Sequence, residues 1–128
     1  MDDICAIDDL LASARAGMLR IASAALEAEE AAGALIVDIR PVEQRTRDGD
    51  IPGALVIDRN VLEWRLAPSS PSRILDLDIE RRVILVCNEG YQSSLAAATL
   101  RRLGVNATDL IGGYQSLLAI RTTPAPRS

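Results

Sequence analysis

The chain has 128 residues, of which 48% are hydrophobic and 25% charged, the size and mix of one ordinary domain with a single buried core. A net charge of −4 and a pI near 4.8 argue against nucleic acid or an anionic membrane surface as the main partner, because neither has a basic footprint to bind. No apolar run approaches the roughly 20 residues of a membrane span, and the start Met-Asp-Asp-Ile lacks the basic and apolar regions of a signal peptide, so a cytoplasmic protein is expected.

Two absences narrow the chemistry. The chain has no Phe and only three aromatic residues (Trp64, Tyr91, Tyr114), so Leu, Ile, Val and Ala must fill the core, as they commonly do in α/β layers. It also has no histidine, which removes Ser-His-Asp and Cys-His mechanisms. Two cysteines far apart, Cys5 and Cys87, suit neither a disulfide nor a four-ligand zinc site, and no metal or cofactor is expected.

In chain order, Asp8-Asp9 predicts a helix cap before Leu10 to about Gly17, which makes residues 1–17 a helical extension ahead of a domain at 18–122. Met18 to Ile21 reads as a short edge strand and Ser23 to about Ala32 as a helix ended by Gly33. Leu35-Ile36-Val37-Asp38 reads as a buried strand, and Pro41 opens a helix from Val42 to about Arg47. A third strand is expected at Ala54 to Ile57, a helical turn or two at Val61 to Leu66, and a short helix through Leu77 after the Pro68–Ser72 loop. The last strand falls near Thr108 to Ile111, Gly112-Gly113 begins the final helix, and residues 123–128 form a frayed tail.

The most informative stretch is VILVCNEGYQSSLAAATLRRLG, Val83 to Gly104. Its apolar run suits a buried parallel strand ending at Cys87, and Ser93 or Ser94 can cap the alanine-rich helix that follows. Loop amides from Asn88 to Ser94 then converge with the positive end of a helix dipole, an arrangement that holds an anion and favours thiolate. Strands alternating with helices imply a mainly parallel sheet covered on both faces, with ligands at the strands' C-terminal ends. Asp38, Arg40 and Cys87 all fall at such ends and are expected to share one crevice.

These residues, with GALIVDIRPVEQRTRDGDIPGALVID and DLIGGYQSL on either side, resemble a single-domain rhodanese over residues 18 to 122. The resemblance implies a five-stranded parallel sheet flanked by helices on both faces, and a sulfurtransferase in which Cys87 becomes a persulfide. The implied donor is thiosulfate or a related persulfide, and the acceptor is cyanide or a thiol. It further implies an active-site loop Cys87-Asn88-Glu89-Gly90-Tyr91-Gln92, with Ser93 at the helix start, and an Asp38–Arg40 pair that organises the crevice with Glu43 as companion acid. The chain departs from the family at Asp50, where the pattern Gly-His-Ile-Pro-Gly has histidine, and at Leu117, where Trp is common.

Glu89 is the departure inside the loop: rhodaneses that favour thiosulfate commonly carry basic residues there, and a carboxylate repels a dianionic donor. Pairing of Glu89 with Arg40, Arg45 or Arg47 would remove the conflict. A poor catalyst of this kind is the alternative reading, a sulfur-carrying or partner-binding module, as monomer or homodimer. Phosphatase or arsenate chemistry requires an arginine at position 93, which is serine. Asp38 and Arg40 read as a structural ion pair rather than catalysts, and Ser93 and Ser94 as helix caps with a hydroxyl–sulfur bond secondary. Tyr91 either walls the pocket or covers the surface, Trp64 reads as core, and Cys5 as incidental, with a resolving role the lesser option.

Overall fold

The computed structural model of the chain describes residues 5–122, so the expected tail at 123–128 lies outside the described residues. Among the described residues, six α-helices and four strands follow in the order α1 (Ala6–Arg15), α2 (Leu26–Ala31), β1 (Leu35–Asp38), α3 (Val42–Asp48), β2 (Leu55–Val56), α4 (Leu62–Leu66), β3 (Val83–Val86), α5 (Gln92–Arg102), β4 (Ala107–Asp109) and α6 (Gly113–Thr122). Two 3₁₀ turns, Ser23–Ala25 and Arg59–Val61, lead into α2 and α4. The sheet order is β2-β1-β3-β4 and every pairing is parallel.

The sheet has four strands rather than the expected five. Met18 to Ile21 reaches the β4 edge but makes one parallel bridge there, Ile21 opposite Leu110. Ile21 donates its N–H to the Asp109 carbonyl (3.0 Å) and accepts from the Ile111 N–H (2.8 Å). Two residues earlier on each strand, the Leu19 carbonyl accepts from the Thr108 hydroxyl at 2.7 Å, and a side chain stands in for the backbone bond that would extend the strand. Arg20 is turned inward to the site described below.

Alternation along β3 divides the core. Val83, Leu85 and Cys87 face Leu62, Leu66, Ala96, Ala97 and Leu100, while Ile84 and Val86 face Leu26, Ile36, Leu110, Tyr114 and Leu117. All four residues of β3 are fully buried, as expected of a central strand covered by helices on both sides. The sheet's position between two apolar layers therefore fixes Cys87 at the C-terminal rim of its middle strand.

Three local expectations are corrected. α1 starts at Ala6, so Asp8 and Asp9 occupy its first turn, where they suit the helix dipole, instead of capping it. No helix forms between α4 and β3. Pro68 and Pro71 offer no N–H to a helical ladder, and the segment is tied down by the Ser70 hydroxyl on the Trp64 carbonyl (2.6 Å) and the Ile74 N–H on the Arg65 carbonyl (2.9 Å). Trp64 itself is 59% exposed and is not core. Among the described residues no helix is long and apolar enough to cross a membrane.

Candidate active site

The site is built on the loop between β3 and α5. Cys87 follows β3 directly, is 7% exposed, and its Sγ receives the N–H groups of Gly90 (3.1 Å) and Ser93 (3.3 Å). The thiol in turn donates to the Ser93 hydroxyl at 3.1 Å. Ser93 lies in the first turn of α5, where helical geometry leaves an N–H without an intrahelical partner, so the sulfur takes up a donor that the helix start must place somewhere.

The loop's carbonyls are taken from outside. Tyr114 and Gln115, at the start of α6, donate their N–H groups to the carbonyls of Cys87 (2.8 Å) and Asn88 (3.0 Å). This requires the α6 backbone to run against the loop. A Cβ on Gly113 would lie 2.5 Å from the Cys87 carbonyl oxygen, and one on Gly90 would lie 2.8 Å from the Gly112 nitrogen, so only glycine fits either place. The Gly90 carbonyl accepts from two guanidinium groups, Arg15 Nη2 at 2.8 Å and Arg20 Nη2 at 3.0 Å. With its carbonyls held outward, the loop turns N–H groups onto the sulfur.

Arg15 is the last residue of α1, and its Nε also donates to the Ser94 hydroxyl at 2.9 Å, with the guanidinium 5.9 Å from the centre of the exposed Tyr91 ring. The N-terminal helix is thus docked on the loop. Cys5, at the opposite end of that helix, is about 15 Å from Arg15 along the axis at 1.5 Å per residue, which places it away from Cys87.

Ser93 and Ser94 are not helix caps. Tyr91 holds the N-cap position without a side-chain bond, and both serine hydroxyls, fully buried, donate to Asp109 Oδ2 at 2.7 Å. Asp109 ends β4, is itself fully buried, and is held by Arg20 through Nε–Oδ1 (2.7 Å) and Nη2–Oδ2 (3.1 Å). Asp109, Arg20 and Arg15 are the residues that sequence reasoning missed. A carboxylate within the apolar segment Ala107 to Ile111 was the available signal, because an acid in a buried strand requires a cationic partner.

Asp38 and Arg40 form the buried ion pair that their positions at the end of β1 predict. Arg40 clamps the carboxylate through Nε (3.0 Å) and Nη2 (2.8 Å), also donates to the Gly49 carbonyl (2.8 Å), and lies 3.7 Å from the centre of the Tyr114 ring. Its Nη1 has no hydrogen-bond partner among the described residues, and its stacking on the aromatic face offsets part of that desolvation. Glu43 is exposed and lies outside this pair.

A cleft of about 320 Å³ opens over the sulfur, lined by Arg40, Gln44, Cys87, Asn88, Glu89 and Gln92 among others, while Asp38, fully buried, does not line it and is tied to it only through Arg40. A larger depression, about 610 Å³, lies at the opposite end of the strands around Glu29, Arg81 and Asn106 and holds no nucleophile. Asn88 is anchored by Gln115, whose Nε2 donates to Asn88 Oδ1 (2.9 Å) and to Asp48 Oδ2 (3.0 Å). The Arg47 hydrogen bond holds the Asp48 carboxyl below its ordinary range. Glu89 is exposed at the cleft rim and makes no ion pair among the described residues. Arg40 is committed to Asp38, Arg45 to Asp50 at 3.7 Å and Arg47 to Asp48.

Comparison with known proteins shows the family and the fold. The family model of the Rhodanese-like domain matches residues 21–119. A Rhodopseudomonas palustris protein of unknown function, described as a possible tyrosine phosphatase, is 27% identical over 98% of this chain and 99% of its own, with a TM-score of 0.78. A rhodanese homologue from the extremely thermophilic bacterium Thermus thermophilus is 28% identical over 77% of this chain and 100% of its own, with a TM-score of 0.58. A Rhodanese-like domain protein from Staphylococcus aureus shares the fold at 22% identity, covering 78% of this chain and 91% of its own with a TM-score of 0.63. No curated protein gives a significant match.

α1 precedes the matched residues yet carries a loop contact. Replacing Arg15 with Ala is expected to speed hydrogen exchange at the Gly90 and Ser93 amides roughly tenfold relative to amides of β3, the loss of one charged donor to the loop. An unchanged ratio contradicts the bracing role of α1.

Proposed function

The chain belongs to the rhodanese-like domain family, and from that premise we propose that it is a sulfurtransferase that carries sulfane sulfur on Cys87. The observation that carries this reading is the buried Cys87 sulfur facing two loop N–H groups in a chain without histidine. Backbone donors stabilise negative charge on sulfur without supplying or removing a proton, which suits an attacking thiolate and a persulfide anion alike.

The Cys87 thiolate attacks the outer sulfur of the donor. A new S–S bond forms, the donor's S–S bond breaks, and its electron pair leaves on sulfite or on a thiolate. Cyanide or a thiolate then attacks the outer sulfur of the Cys87 persulfide, which releases thiocyanate or a new persulfide and restores the Cys87 thiolate. Asn88, Gly90, Tyr91, Gln92 and Ser93 supply the walls and amides of this cradle, and Asp38 with Arg40 shapes its floor. No cofactor takes part, and the setting fits a cytoplasmic enzyme.

Glu89 decides the donor class. Its carboxylate lies at the rim of the same cleft with no ion pair among the described residues, so a dianion such as thiosulfate meets repulsion that a monoanionic alkyl persulfide meets at half strength. We assign the persulfide as the preferred donor. The likeness to a protein described as a possible tyrosine phosphatase favours phosphate-ester hydrolysis as a second reading. That chemistry needs a guanidinium clamp on the phosphoryl oxygens, yet position 93 is serine, and Arg15 and Arg20 are engaged with the Gly90 carbonyl on the outer side of the loop.

Incubation with an alkyl persulfide should add the mass of one sulfur atom to the wild-type chain and none to Cys87→Ala, and cyanide should remove it as thiocyanate. Absence of the adduct from wild type overturns the proposal, as does turnover of p-nitrophenyl phosphate that depends on Cys87. A stable adduct that neither cyanide nor thiols discharge above background assigns the domain a sulfur-carrying role instead. Glu89→Gln should raise the rate with thiosulfate at least about threefold while changing the persulfide rate little; equal effects on both donors would defeat the repulsion argument.

A further inference from the structure

Asp109 lies outside the loop and touches no part of the cleft surface, yet it ends a chain of hydrogen bonds that begins at the nucleophile. Cys87 Sγ, Ser93 Oγ and Asp109 Oδ2 follow one another at 3.1 and 2.7 Å. A carboxylate has no proton to give, so the hydrogen in the second bond belongs to Ser93. Ser93 has only one hydroxyl proton. While that proton points at Asp109, the face of Ser93 Oγ turned to Cys87 presents lone pairs, which accept the thiol S–H and offer nothing to a thiolate.

We propose that Asp109 is a positioning residue for the sulfur-transfer reaction, acting through the Ser93 hydroxyl as a two-position hydrogen-bond toggle. This rests on the reading of Cys87 as the sulfur-accepting nucleophile. With a thiol at Cys87, the Ser93 proton sits on Asp109. When Cys87 loses its proton to solvent and becomes the attacking thiolate, the Ser93 hydroxyl rotates and donates to Sγ. Once Cys87 is a persulfide its Sγ is neutral, and the proton returns to Asp109. No bond to hydrogen is broken at Ser93 in the cycle.

The surroundings of Asp109 fit this role better than a purely structural one. Its carboxylate keeps the Ser94 hydroxyl on Oδ2 (2.7 Å) and both Arg20 contacts when Ser93 swings away, so rotation leaves no buried acceptor unsatisfied. Ser94 cannot serve in its place: its own proton goes to Asp109, and its oxygen accepts from Arg15 Nε at 2.9 Å. Arg20 neutralises the carboxylate at 2.7 Å, which weakens any direct effect of the Asp109 charge on the sulfur and leaves the hydroxyl as the path between them. Gly90, whose N–H reaches Sγ, has its carbonyl on the same Arg20, so the toggle and the amide cradle share one support.

The test is the alkylation rate of Cys87 by iodoacetamide at one fixed pH, in a Cys5→Ser background so that a single thiol reports. Asp109→Asn removes the charged acceptor that competes for the Ser93 proton, and the rate should rise roughly threefold to tenfold. In Ser93→Ala the same Asp109→Asn change should have no effect. No rise in the first case, or an equal rise in both, overturns the proposal, the second outcome assigning the effect to charge alone. If Asp109→Asn does not fold, the S–H stretching band decides. The Cys87 band should lie at lower frequency than that of exposed Cys5 in wild type and shift toward it in Ser93→Ala, and coincident bands in wild type overturn the proposal. Neither readout involves sulfur transfer, so failure here is separable from a failure to form the Cys87 persulfide.

Discussion

The rest of the site depends on where the loop's carbonyl groups go. A short loop crossing the end of a buried strand must satisfy every peptide group, and each N–H turned toward one side leaves a carbonyl directed elsewhere. Here α6 takes the carbonyls of Cys87 and Asn88 through its first free N–H groups, and Arg15 with Arg20 takes that of Gly90. The amides of Gly90 and Ser93 are thereby left for the sulfur. The anion cradle is the inner side of a set of bonds made from outside, and that is why two glycines at the start of α6 and an N-terminal helix belong to the site.

Strand order supplies the second support. β3 lies between β1 and β4, so Cys87 at its end is flanked by Asp38 on one side and Asp109 on the other. Each carboxylate is fully buried and each is met by an arginine in two-point contact. Removing one partner of such a pair leaves an uncompensated buried charge, typically worth about 3–5 kcal/mol, whereas the intact pair adds little net stability. The pairs are better understood as fixing geometry: Arg40 ties β1 to the Gly49 turn and the Tyr114 ring, and Arg20 ties β4 to the Cys87 loop.

Much of this was legible in the sequence. The apolar run into Cys87, the Asp38–Arg40 spacing and Gly112-Gly113 placed the strand ends and the loop, because they follow from local period and turn chemistry. The fifth strand was not legible. Whether Met18 to Ile21 pairs over several residues depends on Thr108 capturing the Leu19 carbonyl, a contact between residues 89 positions apart. The same holds for Ser93 and Ser94, whose position at a helix start suggests caps, while the decisive partner, Asp109, arrives from another strand. Arg15 looked peripheral because nothing in α1 itself, which has no buried residue, reveals that its last side chain ends on the loop.

The central claim is that the loop amides hold sulfur on Cys87, and a crystal structure of the protein after exposure to an alkyl persulfide tests it most directly. The account predicts one additional anomalously scattering atom about 2.05 Å from Cys87 Sγ, ringed by backbone N–H groups of residues 88–93. An unmodified Cys87 beside a modified Cys5, or an added sulfur turned away from the loop amides into solvent, would contradict it.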